Sequence, residues 1–96
     1  MDLQTFKASL DSPEPPANTG QYLEALWREA HGEWDRAHRI VQEMTDADAA
    51  WIHAYLHRRE GDESNAGYWY RRAQRLHSDL PLDAEWEEIV RTLLER

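Results

Sequence analysis

Two stretches of this chain repeat one helical layout, and that recurrence limits the folds open to it. Within Asp62 to Leu76, Ala66, Tyr70 and Ala73 recur at four and three residues, which places them on one helix face. Trp69 and Leu76 widen that face. Ala50 to Glu60 reads as the partner helix, with Gly61 as the turn. Sliding the sequence back by 29 residues lays the same layout over Tyr22 to Met44: Gly61 falls on Gly32, Ala66 on Ala37, Tyr70 on Val41, and Tyr55 on Leu26. One hairpin cannot bury its own apolar stripe, whereas two stacked hairpins share a core.

The rest of the chain is read around these two units. Residues 1–16 form an N-terminal segment and a proline-rich linker, and 17–96 a single helical domain. Leu3, Phe6 and Leu10 would line one side of a brief helix that either docks on the rest or frays. Pro13, Pro15 and Pro16 stop any helix there. Asn18 or Thr19 is the expected cap of the first hairpin, 20–44, whose stripes are Tyr22, Leu23, Leu26, Trp27 and Ala30, then Trp34, Ala37, Val41 and Met44. Thr45 is the expected cap of the second hairpin, 46–77, in which Trp51, Ile52, Tyr55 and Leu56 repeat the first stripe. Pro81 fits the first turn of a last helix, 81–95, with Leu82, Trp86, Ile89, Val90, Leu93 and Leu94 inward. The expected fold is all-α: a right-handed stack of two antiparallel αα-hairpins closed by a C-terminal capping helix.

The run Gly61-Asp62, Ala66, Tyr70, Ala73 resembles the second half of a tetratricopeptide repeat. Tyr68-Trp69-Tyr70-Arg71-Arg72-Ala73 is similar to the ending of Sel1-like repeats, and the chain as a whole resembles small bacterial proteins of uncharacterised role. The resemblance spans about Tyr22 to Leu76 and implies a helical repeat that holds protein partners. The interval of 29 is shorter than the roughly 34 residues usual in tetratricopeptide repeats.

Charge narrows the partners. The chain carries a formal −8, from 19 acidic against 11 basic residues, so nucleic acid and anionic membrane would repel it on average. With no cysteine, any metal would need His, Asp or Glu ligands. The N-terminus lacks the basic and apolar regions of a secretory signal, and no stretch approaches a membrane span. A cytoplasmic location is the expectation.

Two residue groups stand out. His53, His57 and Glu60 fall at i, i+4 and i+7, opposite Ile52, Trp51 and Tyr55, where both imidazoles would reach one metal with Glu60 as third ligand. Their ordinary reading is a pair of solvent-facing histidines. Convergence of His31 and His38 from the other hairpin would strengthen the metal reading. His31 and His77 otherwise read as helix-end residues, and His38 as a partly buried side chain flanking a stripe. The second group is Arg58, Arg59, Arg71, Arg72 and Arg75 with Tyr68 and Trp69, an arginine–aromatic set suited to a protein interface. Tyr68 lies off the stripe and should be exposed.

No nucleophile elbow, phosphate loop or dinucleotide fingerprint occurs. The first expectation is therefore a non-enzymatic interaction or self-association module without a cofactor, whose partner is another protein or a second copy. The alternatives are a small metal-binding protein using His53, His57 and Glu60, or a ligand-binding bundle lined by Trp27, Trp51 and Tyr55.

Overall fold

Nine consecutive residues, Ala49 to His57, are buried in helix α4 (Ala47–Arg59), and the other elements are arranged around it. A helix without an exposed stripe must be covered on every side. The computed structural model, which describes residues 1–96, is all-α, with α1 (Leu3–Ala8), α2 (Gln21–Ala30), α3 (Trp34–Val41), α5 (Glu63–Ala73) and α6 (Leu82–Leu94) around α4 and no strand. α4 lies most extensively against α5, and also touches α2, α3 and α6. α2 lies against α3, and α1 lies against α6. No helix is long and apolar enough to cross a membrane.

The two glycine turns take the same form. The Gly32 N–H donates to the Glu29 carbonyl and the Glu33 N–H to the Arg28 carbonyl, at 3.0 and 2.8 Å. Gly61 and Asp62 repeat this on Arg58 and His57 at the same two distances. This closure needs a left-handed residue, and φ is 87° at Gly32 and 88° at Gly61. A third closure ends α5, where Arg75 N–H donates to Tyr70 and the left-handed residue is Gln74, φ 59°.

Several boundaries differ from the sequence reading. Neither Asn18 nor Thr19 caps α2: Gly20 holds the cap position without a side-chain bond, and Asn18 is itself left-handed, φ 65°. Asp46, not Thr45, caps α4, accepting from the Ala49 N–H at 3.1 Å while also receiving the Tyr22 hydroxyl. A charged acceptor with a second donor outcompetes the neighbouring hydroxyl. Pro81 is the cap of α6 rather than part of its first turn. α3 stops at Val41 and α5 at Ala73, short of Met44 and Leu76.

The N-terminal segment docks. Phe6 is fully buried 5.9 Å from the Trp86 ring, and Lys7 pairs with Glu87 at 2.7 Å. One apolar cluster runs from Phe6 to Val90.

Candidate metal centre

His53 and His57 do not face solvent. They are 4% and 6% exposed, because α3 and α5 cover the face of α4 opposite Trp51 and Tyr55. The Trp69 ring of α5 stacks on His53 at 3.8 Å, and the Trp34 ring of α3 meets His57 edge-on at 6.1 Å. Trp34 also donates its Nε1–H to the Leu56 carbonyl at 2.7 Å, which holds α3 on α4.

α3 brings a third imidazole. His38, one turn beyond Trp34 and stacked on it at 4.9 Å, places its Nε2 3.0 Å from Nε2 of His53. One ligand nitrogen from each of His38, His53 and His57 lies within 4.8 Å of the other two. Two neutral imidazoles in such contact share one proton and one lone pair, and Nδ1 of the buried His53 has no hydrogen-bond partner. The cluster therefore leaves one buried imidazole nitrogen unsatisfied.

Glu60 and Asp62 approach from one side. The Glu60 carboxylate accepts from Nδ1 of His57 at 2.7 Å, and both acids group with His57 rather than with His38 or His53. A carboxylate only accepts, so the neutral His57 carries its proton on Nδ1 and its lone pair on Nε2.

Burial, and then the charge of neighbouring imidazoles, hold His53 at about 3. Burial and His57 also lower His38 from its ordinary value of 6.5. At neutral pH both rings are free bases, the form that binds a metal. Nitrogens bound to one tetrahedral ion at roughly 2.0–2.1 Å stand about 3.3 Å apart. His38 and His53 already have about that spacing at 3.0 Å, and a nitrogen of His57 lies within 4.8 Å of both.

His31 stacks on Trp27 at 4.3 Å, away from the cluster, and His77 pairs with Glu63 at 2.7 Å. Arg58 and Arg59 turn toward buried acids. Arg58 reaches the fully buried Glu85 at 2.7 Å, which also receives Tyr70 at 2.6 Å and Trp51 at 3.3 Å. Arg59 binds Glu29 at 3.2 Å and Asp83 at 2.9 Å, and Glu29 accepts from Tyr55 at 2.8 Å. Burial and the adjacent carboxylates raise both tyrosines far above their ordinary range. Tyr68 is 45% exposed, Arg71 and Arg72 are exposed, Trp69 is half-buried on His53, and Arg75 lies over Trp51 at 3.4 Å. Trp27 and Tyr55 are solid core and line no cavity, whereas Trp51 borders a cavity with Arg75, His77 and Glu85, so the three aromatics do not line one common pocket.

Helical spacing found His53, His57 and Glu60, but not the part of His38 or the covering tryptophans. One signal was present: the run Ala49 to His57 holds no Asp, Glu, Lys or Arg. A helix lacking charge on any face for that length has no solvent side. Compared with known proteins, the chain matches no family model, no curated protein and no solved structure.

Proposed function

We propose that this protein binds a transition-metal ion of the zinc and nickel class through His38, His53 and His57. The carrying observation is the convergence of three imidazoles from two helices, with the His38 and His53 nitrogens 3.0 Å apart and His53 and His57 buried. Imidazole suits zinc, nickel and copper, whereas calcium and magnesium require oxygen. The ion would tie α3 to α4 across the only histidine cluster shared by these helices. The test is calorimetric titration with zinc and with nickel, beside His38→Ala. A saturable one-to-one heat that the variant loses supports the reading. No heat and an unchanged melting temperature contradict it.

The helix pairs α2–α3 and α4–α5 are read as two units of a tetratricopeptide-like stack closed by α6. The matched glycine turns support this, as do equivalent positions at the 29-residue offset: Ala37 and Ala66, Leu26 and Tyr55, and Val41 and Tyr70 are all buried. A partner surface on this frame would use Tyr68, Arg71, Arg72 and Arg75, the exposed members of the arginine–aromatic set. Light scattering over a range of concentrations tests self-association, and a monomer throughout the micromolar range contradicts it.

A further inference from the structure

The donors at this centre divide into two groups. Three imidazoles converge, while the carboxylates of Glu60 and Asp62 collect around His57 alone. Glu60 is already engaged, accepting from His57 Nδ1 at 2.7 Å. That bond leaves Nε2 as the ligating atom of His57 and makes Glu60 an outer partner of the metal rather than a direct one.

Resting on the metal reading above, we infer that the bound ion keeps one coordination position open to a small exogenous ligand, water or a small anion. Structural zinc sites use four protein ligands, whereas three nitrogens leave a position for solvent or substrate. Cysteine, the usual fourth ligand of a closed site, is absent from the chain. The cluster is also lopsided. Trp69 seals it over His53, while His38 is half-buried and Glu60 is exposed. A small ligand therefore has an approach from the His38–Glu60 side. An ion held by three neutral imidazoles keeps its full double positive charge, which favours an anion or an acidified water as the fourth ligand.

The test uses cobalt(II), whose visible absorption reports its ligands. The full chain is loaded with cobalt and titrated with azide. The expected result is a saturable shift of the visible bands in wild-type protein. Glu60→Ala, at an exposed position, should lower cobalt affinity by about 10- to 100-fold while leaving the band positions and the azide response in place. Bands indifferent to azide would mean that the fourth position is filled from within. Bands displaced by Glu60→Ala before azide is added would make Glu60 a direct ligand. Either result overturns the open position and leaves metal binding standing. Failure of cobalt, zinc and nickel all to bind overturns both.

Discussion

Nε2 of His38 lies 3.0 Å from Nε2 of His53, across the junction of α3 and α4. Each ring is stacked on a tryptophan. His38 is stacked on Trp34, and His53 is held between Trp69 at 3.8 Å and His57 at 4.9 Å. The contact therefore comes from how three helices meet, and three imidazoles at one point give that meeting a chemical consequence.

The metal-free protein should weaken in mild acid. His53 falls from 6.5 to about 3 on folding, so the unfolded chain binds the extra proton and stability drops as pH falls below 6.5. The expected loss between pH 6.5 and 5 is about 1–2 kcal/mol. His38, also lowered by burial, adds to the loss, while Glu29, raised by burial, opposes it as pH falls. Urea denaturation at several pH values reads the slope, which His53→Gln should reduce, leaving the smaller part due to His38. A wild-type stability flat across the window contradicts the burial argument.

Arg58→Met should be costly although the residue carries a surface-type side chain. It strands Glu85, 0% exposed, with only the Trp51 and Tyr70 donors. Removing one member of a buried pair costs about 3–5 kcal/mol. Denaturation midpoints measure it, and a loss below 1 kcal/mol would mean that Glu85 reaches water.

Gln74→Gly should stabilise. Gln74 sits at φ 59° in the closing turn of α5, where the equivalent positions Gly32 and Gly61 are glycine. Relief of the left-handed strain is worth about 1 kcal/mol, partly offset by the greater freedom of glycine in the unfolded chain. A higher melting temperature is expected, and a lower one would place Gln74 in an unstrained turn.

Phe6→Ala tests the N-terminal dock. A fully buried phenylalanine truncated to alanine costs about 3–5 kcal/mol. A frayed segment would give almost no change. Thermal melts of the two proteins distinguish these outcomes.

The repeated hairpin layout was legible because it depends on local rules. Gly32 and Gly61 mark left-handed closures, and Ala37 and Ala66 mark buried faces, whatever surrounds them. The Asp46 cap was not legible, because its advantage over Thr45 includes a hydroxyl donated by Tyr22 from another helix. The site was half legible. Spacing aligned His53, His57 and Glu60, but whether that face meets water depends on Trp34 and Trp69, which other helices deliver. The arginines show the same limit. Arg58 and Arg59 look like surface residues in sequence, and buried acids in α6 and α2 turn Arg58 and Arg59 inward.

Crystals grown with zinc, measured at the metal absorption edge, test the central claim most directly. The account predicts one anomalous peak between His38, His53 and His57, at about 2.0–2.1 Å from a nitrogen of each. No peak there, or a peak held only by exposed carboxylates, would contradict it.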